Sequence, residues 1–79
     1  MIRVSDEIHN LIEKGTRLLE DAKYDDALEC FDKVLSLDSK NTHAWNQKGV
    51  ALRSLGRYDE AIECFNKALE IVPKDLDAS

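Results

Sequence analysis

The sequence predicts an all-α fold of four helices, paired into two stacked helix-turn-helix units. Three observations carry this. A shift of 34 residues superposes Lys14 on Lys48, Gly15 on Gly49, Leu18 on Leu52, Tyr24 on Tyr58 and Asp25 on Asp59 without a gap. The same shift brings Ala27 onto Ala61, Glu29 onto Glu63, Cys30 onto Cys64, Phe31 onto Phe65, Lys33 onto Lys67 and Leu35 onto Leu69. A period of about 20 to 50 residues marks stacked supersecondary units. Apolar residues also recur at helical spacing between short polar turns, and no strand-like alternation survives that reading.

The first helix is expected to start at Ser5-Asp6-Glu7, where a hydroxyl can cap and acids fill the first turn. Its stripe is Ile8, Leu11, Ile12, Leu18, Leu19 and Ala22. Ala22-Lys23 reads as a turn, because Tyr24-Asp25-Asp26 restarts a helix with acids at its positive end. Ala27, Leu28, Phe31, Val34, Leu35 and Leu37 form the second stripe. The polar run Asp38–Thr42 is a loop, and Asn41 or Thr42 can cap the third helix, which carries Ala44, Trp45, Ala51, Leu52 and Leu55. Gly56 suits a left-handed helix end. The fourth helix carries Ala61, Ile62, Phe65, Ala68, Leu69, Ile71 and Val72, and Pro73 should stop it. Gly15 and Gly49 lie inside helices, where glycine costs about 1 kcal/mol against alanine. Close approach of the two helix backbones in a unit, with Ala27 and Ala61 opposite the glycines, is the expected reason.

The 79 residues make one domain spanning 1–79, with repeat one at 8–41, repeat two at 42–75 and a C-terminal stub at 76–79. The net charge is −5, and the basic residues are scattered rather than gathered on one face, which argues against nucleic acid. Pairs such as Glu29 with Lys33 and Glu63 with Lys67 read as i, i+4 ion pairs on the helix surface. No apolar run approaches the roughly 20 residues of a membrane-spanning helix. The first residues lack the apolar stretch of a secretory signal, so a cytoplasmic location is expected.

Cys30 and Cys64 stand one repeat apart and read as reduced, partly buried structural thiols. Neither the spacing of the cysteines nor that of His9 and His43 suits a metal site. No nucleophile with a base and no glycine-rich phosphate loop is present. The sequence therefore predicts neither an enzyme nor a cofactor.

These residues resemble the tetratricopeptide repeat (TPR), a 34-residue helix-turn-helix with the pattern W-x2-L-G-x2-Y, then A-x3-F, then P. The second unit matches as Trp45-x2-Lys48-Gly49-x2-Leu52, Ala61-x3-Phe65 and Pro73. The first matches as Leu11-x2-Lys14-Gly15-x2-Leu18 and Ala27-x3-Phe31. The departures are Leu11 for Trp, Lys14 and Lys48 for Leu, Leu18 and Leu52 for Tyr, and Ser39 for Pro. None removes a Gly, Ala or Phe packing position, and the likeness covers about Ser5 to Lys74.

The resemblance implies a right-handed α-solenoid with a concave groove, and a scaffold that binds a peptide or helix of a partner protein there. The groove residues it implies are His9, Ile12, Glu13 and Thr16 in the first unit, and His43, Asn46, Gln47, Val50 and Arg53 in the second. Some members of the family grip a chaperone's C-terminal carboxylate with Lys and Asn. Ile12 and Thr16 stand where the first unit would supply them, which speaks against that ligand. Three or more repeats are usual for stability. The alternative reading is therefore a structural fragment, or a minimal excised or designed unit of a longer array, with no ligand of its own. The fourth helix offers Ile62, Phe65, Leu69 and Val72 along one stripe, and a weak homodimer through a two-fold contact of that helix is expected.

Overall fold

The computed structural model describes residues 3–71. It contains α1 (Val4–Glu20), α2 (Tyr24–Leu37), α3 (Thr42–Ser54) and α4 (Tyr58–Ile71), and no strand among the described residues. α1 packs on α2, α2 on α3 and α3 on α4, with a brief contact between α1 and α3. The chain is thus two helical hairpins laid side by side, as the 34-residue period predicts. α3 begins where repeat two was placed, whereas α1 starts upstream of position 8. Val72, Pro73 and the 76–79 stub lie outside the described residues.

Helix starts differ in how they are held. Asn41 caps α3, its side-chain oxygen accepting from the Ala44 amide at 2.9 Å. Ser5 does not cap α1. The helix starts one residue earlier, with Arg3 in extended backbone ahead of it and no side-chain cap, so Ser5 lies in the first turn. α2 has no side-chain cap either and relies on Asp25 and Asp26 beside its exposed amides.

Both hairpin turns use one device. At the end of α1 the Lys23 amide donates to the Leu18 carbonyl at 2.8 Å and the Ala22 amide to the Leu19 carbonyl at 3.0 Å. At the end of α3 Arg57 donates to Leu52 at 2.9 Å and Gly56 to Arg53 at 3.0 Å. This double closure needs a left-handed residue just past the helix end. Gly56 supplies it with φ 83°, and Ala22 is forced into it with φ 62°. A left-handed L-residue costs roughly 1–2 kcal/mol, so the first turn is strained where the second is not.

The core holds Ala27, Leu28, Cys30, Phe31 and Val34 of α2, Ala44, Ala51 and Leu52 of α3, and Ala61, Cys64 and Ala68 of α4. The helical glycines serve a purpose other than backbone contact. A Cβ added to Gly15 would lie 2.7 Å from Cε1 and Cζ of Phe31, and one at Gly49 2.6 Å from Cε1 of Phe65. Each glycine is the notch for the aromatic ring of the partner helix, so the pairing is glycine with phenylalanine across the hairpin.

The expected Glu29–Lys33 and Glu63–Lys67 ion pairs do not form. The closed pairs among the described residues are His9–Glu13, Lys48–Asp32 and Arg57–Glu60. Long exposed side chains gain too little from pairing to offset their lost freedom. Arg57 closes on Glu60 because both its Nε and Nη2 donate to that carboxylate, at 2.6 and 2.8 Å.

Candidate protein-binding site

The groove residues named from the sequence sit on α1 and α3, which touch only briefly, while the hairpins join chiefly through α2 and α3. None belongs to the core. His9, Glu13, His43, Asn46 and Arg53 are exposed, whereas Ile12, Thr16, Gln47 and Val50 are half-buried. On α1 the polar groups are largely used internally. The Thr16 hydroxyl donates to the Ile12 carbonyl at 2.8 Å, and His9 Nε2 lies 3.6 Å from Glu13. On α3 they are not. Asn46, Gln47 and Arg53 have no side-chain hydrogen bond or ion pair among the described residues. α3 carries Lys48 and Arg53 and no acid, a net +2 with His43 neutral. It is the one cationic helix beside three acidic ones.

The hairpins join through a second set of α3 residues. Lys48 Nζ lies 2.7 Å from Asp32 Oδ1 of α2 and 5.7 Å above the Trp45 ring. The Trp45 indole N–H donates to the Ser39 carbonyl at 2.9 Å. Lysine at this position, a departure from the family's leucine, therefore bridges to the preceding helix. Sequence reading could not show it, because Asp32 lies on another helix and outside any helical spacing.

Each hairpin also carries a shallow hollow on its flank. One of about 220 Å³ is lined by Leu11, Lys14, Leu18, Asp26, Glu29, Cys30 and Lys33. The other, of about 190 Å³, is lined by Trp45, Lys48, Leu52, Glu60, Glu63, Cys64 and Lys67, each 34 residues further on. Cys30 and Cys64 are among these lining residues, and both are buried free thiols. Burial pushes the Cys64 thiol up from its ordinary value, keeping it protonated and poorly nucleophilic. The Arg57 hydrogen bond holds Glu60 below the usual carboxylate range. No cluster of three metal-ligating side chains exists among the described residues.

The last surface is the outer face of α4. Ile62 is 55% exposed and Leu69 72%, while Phe65 is half-buried. Phe65 thus points inward to Gly49, and the exposed apolar patch is Tyr58, Ile62 and Leu69. Tyr58, 62% exposed, was missed from sequence, where only Ile62, Phe65, Leu69 and Val72 were named on this face.

Two family patterns match the chain. The tetratricopeptide repeat matches residues 43–75, which holds α3 and α4. The protein prenyltransferase alpha subunit repeat matches residues 24–55, which holds α2 and α3. The second match is to a repeat unit, cut half a period out of phase with the first. No curated protein matches the chain. No described helix is long and apolar enough to cross a membrane.

Proposed function

We propose, for a chain in which residues 43–75 match the tetratricopeptide repeat and the first hairpin repeats that pattern 34 residues earlier, that the groove along α1 and α3 holds a peptide or helix of a partner protein. Tetratricopeptide repeats are protein–protein interaction units. The observation that carries the finer reading is the unspent polarity of α3. Asn46 and Gln47 offer amides that can pair with an extended peptide backbone, and Val50 gives a half-buried apolar spot beside them. Arg53 is exposed and free to take a carboxylate in forked geometry. The chemistry favours an acidic peptide or a free C-terminus over a basic one. Nothing in this surface calls for catalysis or nucleic acid, and the two buried free thiols suit a reducing cytoplasm.

The test is a titration of the labelled chain with matched peptides bearing a free or an amidated C-terminus. Shifts should cluster at Asn46, Gln47, Val50 and Arg53. Arg53→Ala should weaken binding about ten- to a hundredfold, the scale of a charged hydrogen bond. Flat titrations across acidic peptides would favour the alternative, a structural unit without its own ligand.

The exposed patch on α4 supports a second contact surface. A two-fold contact of two α4 helices would cover it, giving a weak homodimer. Weakness is expected because α4 carries four acids against Lys67, a net −3 on each side of that contact. Light scattering across a wide concentration range reads it, and Leu69→Glu should abolish it.

A further inference from the structure

The open side of α4 is spaced as a seam. Tyr58, Ile62, Phe65 and Leu69 follow one another at steps of four, three and four residues. That is the alternation by which one helix presents a row of side chains to a single partner helix. Tyr58, Ile62 and Leu69 are exposed, and half-buried Phe65 adds the part of its ring that the Gly49 notch leaves outside. Among the described helices only α3 packs on α4, so nothing there covers the row.

The row is self-complementary in one antiparallel register. A two-fold contact sets one residue of a copy on a second residue of its partner, and the reverse pair follows by symmetry. Placing Tyr58 on the partner's Leu69 brings Ile62 onto the partner's Phe65 in the same step. All four seam positions are then used, with a large apolar residue against another in every layer. A parallel pairing would instead set Tyr58 on Tyr58 and Leu69 on Leu69, with the two helix dipoles aligned and repelling.

The polar edge of the seam fits the same register. Asp59 follows Tyr58 and Asn66 follows Phe65, so both lie along one edge, and both are exposed. In an antiparallel pair like edges meet, and Asp59 of one copy stands opposite Asn66 of its partner. An amide there can donate to the carboxylate, twice by symmetry. α2 could not make this contact. Its matching residues are Asp25 and Asp32, which would oppose acid with acid. In α2 the acid has another use, since Lys48 closes on Asp32 at 2.7 Å. α4 carries a neutral amide at that position.

We propose that α4 binds α4 of a second copy of this chain in this antiparallel register, and that two symmetric Asn66–Asp59 hydrogen bonds select it. The proposal rests on the reading of the α4 patch as a self-association surface and adds its geometry and its selecting residues. The seam is short and each side carries a net −3, so the dimer is weak and strengthens as salt screens that charge.

Sedimentation equilibrium over a wide concentration range measures the dimer of the full chain and of an exchange series, with helicity of each variant checked by circular dichroism. Asn66→Asp sets acid against acid on both edges and should weaken the dimer at least about tenfold. Asp59→Asn alone should not strengthen it, although net repulsion falls. The double exchange, Asp59→Asn with Asn66→Asp, rebuilds the pair with its roles reversed and should restore most of the binding. The cycle is therefore strongly non-additive, whereas repulsion by net charge alone predicts effects that add. Tyr58 and Leu69 lie about 16 Å apart along one helix, so a nuclear Overhauser effect between the Tyr58 ring and the Leu69 methyls arises only across the dimer. It should be present in wild type at high concentration. An additive cycle, or a dimer lacking that signal, would overturn the register. If Leu69→Glu still abolished such a dimer, the α4 surface would stand and only its geometry would fall. A chain that stays monomeric at high concentration and high salt would overturn both.

Discussion

α2 and α4 are nearly the same helix written twice, yet they live in different surroundings. Both begin Tyr-Asp, carry Ala, Cys and Phe at equal spacing, and set the Phe ring in a glycine notch of the preceding helix. Leu28 of α2 is 8% exposed, while its counterpart Ile62 is 55% exposed. Phe31 is fully buried, and Phe65 only partly. Nothing in the two segments accounts for this. The difference is the helix on the other side: α2 is packed between α1 and α3, whereas among the described helices α4 touches α3 alone. In a stacked array the worth of a side chain is set by its neighbour unit as much as by its own helix.

The largest effect that separates the two helices is removal of the ring. Phe31→Ala should cost about 3–5 kcal/mol, the range for a fully buried phenylalanine. That approaches the whole stability of a small domain, so the variant should be largely unfolded by circular dichroism at room temperature. Phe65→Ala removes a ring already partly in water and should cost about half as much, leaving a cooperative but earlier denaturant transition. Equal losses would mean that α4 is covered in solution as fully as α2.

A smaller effect probes the notches. Gly15→Ala drives a methyl against a ring that is closed in on all sides, and overpacking costs about 1–3 kcal/mol. Gly49→Ala meets its ring at similar distance, but Phe65 has open space to retreat into. The gain of about 1 kcal/mol from alanine in a helix should then offset most of the clash at Gly49. Urea midpoints should rank wild type and Gly49→Ala close together, with Gly15→Ala clearly lower. The reverse order would show that the α4 ring is held as rigidly as the α2 ring.

The smallest effect concerns the hairpin turns. Ala22→Gly should stabilise by about 0.5 kcal/mol, because relief of the left-handed alanine exceeds the added freedom of the unfolded chain. Gly56→Ala should destabilise by about 1 kcal/mol, since the backbone there is also left-handed and no side chain stands near. Thermal unfolding resolves both signs. A destabilising Ala22→Gly would contradict the strain assigned to the first turn.

These contrasts mark what the sequence could disclose. The 34-residue register, the helix order, the Asn41 cap and the Gly–Phe positions were legible, because each depends on residues a few turns apart or on the period itself. The role of the glycines was misread, since composition shows that something approaches closely but not whether it is backbone or ring. The alanine in a left-handed turn was hidden, because only its repeat partner, Gly56, carries the usual residue for that geometry. Helix-surface ion pairs were overread, since spacing permits Glu29–Lys33 without making it favourable. The residues proposed for binding could be named from the sequence, but not their surroundings. That those on α1 are largely satisfied internally while those on α3 are free depends on rotamers and neighbours.

Trp45 is the single tryptophan of the chain. Its indole is tied to the inter-hairpin loop at Ser39 and lies beneath the lysine that reaches Asp32. The molecule thus carries a built-in optical gauge at its joint. Emission from Trp45 reports whether the hairpins are seated on each other, whereas far-ultraviolet dichroism reports whether the helices exist. A state in which the joint opens while both hairpins persist would redden the fluorescence and leave the dichroism unchanged, so any flexing of the two-unit array can be timed without attaching a label.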